Sequence, residues 1–301
     1  MTSKMGLSHT STQATRGAPQ QVERRLFWPG LVAVVLLWAF FAQAVLAIPR
    51  LSLTADEPVY IGAGYAFLRS GDLRMATAAQ HPPLMQELVA LPLLLRPGPE
   101  LSALAGWETA EMGRFAPAFV AWYGDRLDGM TFAARMPVVL IGLLWAAFLF
   151  RWAADCFGPW SGVVALTLFV FDPNVLAHTT LATNDAGFAA FSFIAAFAAM
   201  RFLRRPSWRH VALAGAALGG SLSAKSSGFF TALVLLVLFP LGALVAKERR
   251  ARRLLGTMGK LALVLLLGFL VLWATYGFER RPLVHGGPPL PLATQWEVWQ
   301  E

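Results

Sequence analysis

The chain has 301 residues, of which 56% are hydrophobic and only 14% charged, with a mean hydropathy of +0.55. Soluble domains carry about 25% charged residues, so this composition excludes an ordinary soluble protein and predicts an integral membrane protein. The net charge of +8 does not predict a nucleic-acid partner, because basic residues at the ends of apolar segments follow membrane topology. The single cysteine, Cys156, excludes an internal disulfide and a cysteine-based zinc site.

The N-terminal part of the sequence divides into a polar tail and a first apolar segment. Residues 1–23 are rich in Ser, Thr, Gln and Gly without apolar periodicity, which predicts a disordered cytoplasmic tail. Residues 27–48 form an apolar run that is long enough to cross a bilayer. The run exceeds the apolar core of a signal peptide, so we expect a retained first transmembrane helix.

A long first loop, residues 49–130, is too polar to cross a membrane and too apolar for a plain connection. Residues 58–69 predict a short helix lying in the membrane interface. The segment 84–95 is apolar but short and contains Pro92, so we expect it to lie against the membrane or to re-enter it. Residues 97–128 predict surface structure with some helix.

Apolar runs resume after residue 130 and continue almost to the C-terminus. Together with the first helix they predict an all-α integral membrane protein, a polytopic bundle of about seven transmembrane helices in residues 24–277. Residues 278–301 form a Gly- and Pro-rich tail on the extracytoplasmic side. The six further predicted spans are 131–152, 159–172, 186–202, 210–224, 228–246 and 257–277.

The distribution of charge predicts the orientation of this bundle. The connections around residues 201–209 and 247–253 are strongly basic, as expected for cytoplasmic loops. With the N-terminus inside, the inner segments hold 15 basic and 3 acidic residues, and the outer segments hold 10 and 14. We therefore predict a multi-pass protein of the plasma (bacterial inner) membrane, with the loop 49–130 outside.

This topology gathers most of the unusual polar residues at the extracytoplasmic face. No predicted span carries a charge near its middle, which argues against an ion pathway through the bundle. Acids and a lysine at one boundary between water and lipid suit a reaction on a substrate with a lipid tail and a polar head. The gathered residues are Asp56, Glu57, His81, Asp172, His178, Asn184, Asp185 and Lys225.

Two short motifs in the first loop are candidates for chemistry. Asp56 and Glu57 suit a general base with a second carboxylate that tunes or positions it, although adjacent acids also open ordinary solvated loops. His81 precedes Pro82 and Pro83, which restrict its backbone. It is a candidate to bind phosphate, to ligate a metal or to contact the acidic pair, and the alternative is a plain helix start.

Two later motifs complete the set. Asp185 opens a span and has the alternative role of a helix cap, and His178 lies between the same two spans. Lys225 is followed by Ser-Ser-Gly on an otherwise negative face and suits an anionic head group, with snorkelling at a helix end as the alternative. Gly215 and Gly219 have a spacing that predicts close helix packing.

At these residues the chain resembles the GT-C membrane glycosyltransferases related to protein O-mannosyltransferases and to the lipid A aminoarabinose transferase. These enzymes use polyprenyl-phosphate-linked sugars. The resemblance covers about residues 27–277, beginning with the first span. The motifs that carry it are the Asp-Glu pair at 56–57, Pro-Pro-Leu at 82–84, Ala-Ala-Arg-Met-Pro at 133–137, Asp185, and the Gly-rich helix that ends in Lys225.

The resemblance implies a function for each of these residues. Asp56 would be the catalytic base that deprotonates an acceptor hydroxyl, and Glu57 would assist it. A divalent metal between carboxylate and phosphate is a further implied option, with Asp185 and His178 as ligands. The implied partners are a polyprenyl-phosphate sugar donor, membrane lipids, and a lipid, glycan or protein acceptor. The implied substrate-binding residues are Tyr60, His81, Asp185 and Lys225.

The sequence also departs from the family pattern. Relatives often carry lysine before Pro-Pro, where this chain has His81, which predicts a lost or pH-dependent phosphate contact. Family members usually continue for several further spans, whereas this chain ends at Glu301. A catalytically incomplete fragment, a partner subunit and a transporter of a lipid-linked substrate are therefore alternatives to a complete enzyme.

Overall fold

The computed structural model of the chain describes residues 18–78, 81–245 and 250–279. Within these residues the protein consists of α-helices, short 3-10 helices and connections, and it contains no strand. This confirms the predicted all-α, polytopic membrane protein. The predicted tails fall largely outside the description, at residues 1–17 and 280–301.

The first helix, α1 (Ala18–Ala47), contains the predicted first span. It begins inside the stretch for which a disordered tail was predicted, and it ends in a 3-10 turn at Ile48–Arg50. Pro49 lies in that turn, where its fixed φ and missing N–H are compatible with the end of a helix.

The long first loop is mostly helical. It contains α2 (Glu57–Ser70), α3 (Arg74–Ala78) and α4 (Leu84–Ala90), which continues as a 3-10 helix over Leu91–Leu95. These helices pack closely, because a Cβ on Gly64 of α2 would collide with the backbone carbonyl of Gln86 in α4. The helix α5 (Met112–Tyr123) covers α2 with Phe115 and Phe119, both fully buried.

From residue 127 onward the described residues form a bundle of helices, and short turns join the helices between residues 127 and 245. Gly158 makes the first of these turns with a φ of +100°, a conformation that favours glycine. Asp172 makes the second, since its carboxylate accepts hydrogen bonds from the N–H groups of Asn174 and Val175. The helices are α6 (Leu127–Phe157), α7 (Pro159–Val170), α8 (Pro173–Thr179), α9 (Asp185–Arg204), α10 (Trp208–Ala224), α11 (Gly228–Val245) and α12 (Arg250–Thr275).

Each of the seven predicted spans falls on helix, but fewer meet the requirements of a crossing. Four segments of the described chain are long and apolar enough to cross a bilayer, and α7 with α8 makes a fifth if this pair, bent by 67°, is counted as one span. The helix α11 is apolar but shorter than these segments. The Arg, His, Gly and Ser residues of α10 lower the hydropathy of that helix. The four segments are Trp28–Arg50, Met112–Phe157, Asp185–Arg204 and Leu255–Thr275.

Small and hydroxyl residues hold α9 to α12 together. A Cβ on Gly215 would lie 2.6 Å from Cβ of Leu267, and one on Gly219 would collide with Val271, so α10 packs directly against α12. The prediction that these glycines serve helix packing is confirmed. The hydroxyls of Ser192, Ser221 and Thr231 form a closed ring with distances of 2.8 to 2.9 Å, which links α9, α10 and α11.

Candidate functional site

Residues from four separate parts of the chain meet at one end of the bundle. Asp56 precedes α2, Tyr60 lies one turn into it, and His81 lies just before α4. Asp185 is the first residue of α9, and Lys225 follows the last residue of α10. The contacts and charge interactions described below place the predicted substrate-binding residues and Asp56 near one another.

The centre of this cluster is an ion pair between α9 and the end of α10. Nζ of Lys225 lies 2.5 Å from Oδ1 of Asp185, and the side chains are 27% and 44% exposed. Nδ1 of His178 lies 3.9 Å from the other oxygen of Asp185. The pair is accessible to water, so a ligand can reach both charges.

Tyr60 and His81 form the wall of the cluster on the side of the first loop. Their rings are parallel, with an interplanar angle of 4° and centroids 6.3 Å apart. Nδ1 of His81 lies 3.5 Å from Oγ of Ser226, which connects the start of α4 to the turn after α10. The two rings thus lie beside the residue that follows Lys225.

The protonation of both rings depends on burial and on the neighbouring charges. Burial, with the charges of Asp56 and Asp185, raises the pKa of Tyr60 to about 12, so its phenol keeps its proton at neutral pH. Burial and the charge of Lys225 lower the pKa of His81, against the opposite effect of the two aspartates. At neutral pH, His81 is therefore an uncharged imidazole.

Asp56 has a free carboxylate at the edge of this cluster. The side chain is exposed, and within the described part of the chain its carboxylate receives no hydrogen bond. Its charge nevertheless acts on Tyr60 and His81. Unlike Asp185, it takes part in no ion pair with any residue that the structure describes.

Glu57 has opposite surroundings, because its carboxylate is completely buried. Its two oxygens accept hydrogen bonds from Nε and Nη2 of Arg135, each at 2.7 Å. The N–H of Thr54 adds a bond of 2.8 Å, as does the N–H of Ala182, and the Thr54 hydroxyl adds one of 3.0 Å. Burial alone would raise the pKa of Glu57, but these bonds and the charge of Arg135 lower it below its ordinary value.

Arg135 extends this buried pair into a clamp on the first loop. Its guanidinium also donates to the carbonyls of Ile48, Leu51 and Ser52, at 3.3, 3.0 and 2.8 Å. The segment between α1 and Asp56 is therefore tied to α6. Sequence reasoning gave Arg135 no role in the site. One feature of the sequence could have indicated the pairing of Arg135. An arginine within an apolar helix is costly in a membrane unless it is paired, so a partner should be expected.

The metal ligands considered from the sequence do not form a complete set. His178 and Asp185 supply two donors, and one oxygen of Asp185 is already paired with Lys225. Over the described ranges, no group of three His, Cys, Asp or Glu residues is arranged to hold a metal ion. These residues do not fit a metal centre, and we assign no step to one.

The comparison with protein families agrees with the fold. Residues 115–276 match the family described as dolichyl-phosphate-mannose-protein mannosyltransferase. The chain belongs to this family of membrane glycosyltransferases, whose donors are lipid-linked sugars. The matched range contains Arg135, Asp185 and Lys225, whereas Asp56, Tyr60 and His81 precede it. No curated protein and no solved structure matches the chain significantly.

Proposed function

We propose that the chain transfers a sugar from a polyprenyl-phosphate donor to an acceptor hydroxyl, on the extracytoplasmic face of the plasma membrane. The observation that carries this proposal is the cluster in which the charges of an exposed carboxylate, Asp56, and of an accessible cation, Lys225, both act on His81. A transfer of this kind needs a base for the acceptor and a positive charge for the departing phosphate. The family of the chain supports the class of donor.

In this reaction, Asp56 accepts the proton of the acceptor hydroxyl. The acceptor oxygen then forms a bond to the anomeric carbon of the sugar, and the bond from that carbon to the phosphate oxygen breaks. The electron pair of the broken bond leaves with the polyprenyl phosphate. Because this phosphate is a good leaving group, charge stabilisation by Lys225 matters more than protonation of the departing oxygen.

The other residues of the cluster hold the donor. The protonated phenol of Tyr60 donates a hydrogen bond to a sugar or phosphate oxygen. His81 faces the same ligand from the side of α4, and Asp185 orients Lys225 and accepts hydrogen bonds from sugar hydroxyls. The roles of Tyr60 and His81 use the protonation states that their surroundings favour at neutral pH.

Glu57 serves this reaction as a positioning residue rather than as a base. All of its oxygens are occupied by Arg135, Thr54 and Ala182, and none is accessible to a substrate. The buried pair with Arg135 fixes the backbone immediately before Asp56. We therefore assign proton transfer to Asp56 alone.

Sugar transfer from a polyprenyl-phosphate donor, by membranes that contain the chain, tests this function. We expect Asp56→Asn to lower turnover by about 100-fold or more, because it removes the base and keeps the shape. Asp125→Asn is the matched control, since Asp125 is also exposed and lies outside the cluster. Lys225→Ala should raise the KM for the donor as well as lower turnover.

Two outcomes would contradict the proposal. Full turnover in Asp56→Asn would place the base elsewhere. A wild-type chain that is inserted and folded but transfers no sugar would indicate an incomplete enzyme or a partner subunit.

A further inference from the structure

A second charged pocket lies at the other end of the same helices. Four arginines surround a cavity of about 160 Å³ between the C-terminal ends of α6 and α9. The helix α9 begins at Asp185 in the candidate site and ends at Arg204 beside this cavity. Its 20 residues span roughly 30 Å, the thickness of the apolar part of a bilayer. The four arginines are Arg151, Arg201, Arg204 and Arg205.

Two of these arginines pair with one carboxylate. Asp155 lies 2.7 Å from Nη1 of Arg201 and 3.1 Å from Nε of Arg151. The guanidinium of Arg201 also lies over the ring of Phe197, 5.5 Å from its centroid. Arg201, 27% exposed, is therefore positioned before any ligand binds, whereas Arg151, 59% exposed, pairs with Asp155 at the surface.

The pocket has more positive charge than its carboxylate can neutralise. Arg204 and Arg205 make no ion pair with any residue that the structure describes. The pocket thus offers the guanidinium groups of Arg204 and Arg205, and a net positive charge, to an anion.

An apolar groove continues from this pocket along the bundle. It has a volume of about 350 Å³ and shares Arg151 and Arg201 with the pocket. Its other lining residues include Phe148 and Leu213. Phe148 precedes Arg151 by about one helical turn, so the groove runs from the charged end toward the middle of the bundle.

We propose that the pocket and groove together bind a phospholipid with an anionic head group. The phosphate lies among the arginines, whose planar guanidinium groups match phosphate oxygens, and one acyl chain lies in the groove. Basic residues at a membrane surface attract anionic lipids diffusely in any protein. The two arginines that pair with Asp155, the two further arginines and the adjoining groove distinguish this place as a discrete site.

The test uses the full chain, delipidated in a neutral detergent, with thermal unfolding as the readout. The probes are dioctanoyl phosphatidic acid, dioctanoyl phosphatidylcholine and inorganic phosphate. We expect phosphatidic acid to raise the Tm with a saturable dependence on concentration, because a ligand that binds the folded state stabilises it. Phosphatidylcholine should have little effect, and inorganic phosphate should bind more weakly than phosphatidic acid.

Two variants of exposed arginines distinguish binding at the pocket from a diffuse attraction of anionic lipid to basic residues. Arg204→Gln removes a charge of the pocket, whereas Arg209→Gln removes a nearby charge that does not line it. We expect Arg204→Gln to weaken phosphatidic acid binding about fivefold or more, and Arg209→Gln to leave it nearly unchanged. The Tm without lipid reports whether each variant is folded.

Equal losses of affinity in the two variants would overturn the site. Stabilisation by phosphatidylcholine as strong as that by phosphatidic acid would overturn the requirement for an anionic head group. Binding of inorganic phosphate as tight as that of phosphatidic acid would overturn the assignment of the groove to an acyl chain.

Discussion

At the scale of single residues, the neighbouring carboxylates of Asp56 and Glu57 differ because a helix begins between them. Glu57 is the first residue of α2 and turns into the bundle toward Arg135, whereas Asp56 remains exposed. Since the pKa of Glu57 is lowered, its stabilising charge is present at neutral pH. It is lost only as acidification takes the pH down through that lowered pKa.

Glu57→Gln should destabilise the fold strongly. The change keeps the shape but leaves Arg135 buried without its counter-charge, and breaking such a pair costs about 3–5 kcal/mol. Thermal or denaturant unfolding in detergent measures the loss. Glu111→Gln is the matched control, because Glu111 pairs with Arg114 at the surface, with side chains 52% and 71% exposed, and such pairs contribute at most about 1 kcal/mol. Similar losses in the two variants would contradict the clamp.

His81 should make donor binding depend on pH. Its pKa lies below the ordinary value, so the imidazole is neutral at neutral pH and gains a proton as the pH falls through that lowered pKa. The new charge would face the donor phosphate, so we expect the KM for the donor to fall on acidification. His81→Lys should give a low KM that varies little with pH.

The KM for the donor, measured from neutral pH down to about pH 5, checks this dependence. At each pH, the KM of the wild type is divided by the KM of His81→Gln. This ratio removes the contribution of other titrating groups, including the base. A ratio that stays constant would show that His81 does not contact the phosphate.

The site could be predicted from the sequence only in part, and the reason is visible at Arg135. Asp56, His81, Asp185 and Lys225 stand out as polar residues at the ends of apolar runs, and topology alone predicts that they share a face. The roles assigned to them remain predictions. The pairing of Glu57 with Arg135 joins residues that are 78 positions apart, and no local pattern indicates it.

At the scale of elements, apolar runs predicted the helices well and their breaks less well. The predicted span 159–172 ends in the structure at Val170, because Asp172 precedes a proline and leaves the helical conformation. Asp172 then caps α8, which turns away by 67°. A run of apolar residues indicates the length of a helical segment but not the direction that the chain takes after it, so the angle of the bend could not be predicted from the sequence.

Gly219→Ala should loosen the packing of α10 against α12. The added Cβ would collide with Val271, so we expect a lower Tm. Gly259→Ala, in the partner helix, is the control, because a Cβ there meets no atom within 4 Å. It should be neutral or stabilising by up to about 1 kcal/mol. A Tm that falls equally in both variants would show that helix contact is not the cause.

At the scale of the whole molecule, the distribution of charge predicts the orientation in the membrane. A reporter fused after residue 100 should be extracytoplasmic, and one fused after residue 206, beside Arg204 and Arg205, should be cytoplasmic. Alkaline phosphatase and a fluorescent protein, fused at each position, measure the two locations. A cytoplasmic signal at residue 100 would invert the orientation and would move the candidate site to the inner face.

The ion pair of Lys225 and Asp185 places an internal anion beside the lysine of the candidate site. A donor that reaches Lys225 has to compete with this internal carboxylate for the ammonium group. An uncharged lipid or a lone sugar cannot compensate for the lost ionic contact, whereas a phosphate group can, because it brings its own negative charge. In the proposed reaction, the pair thus favours phosphate-bearing ligands over neutral molecules at the membrane surface.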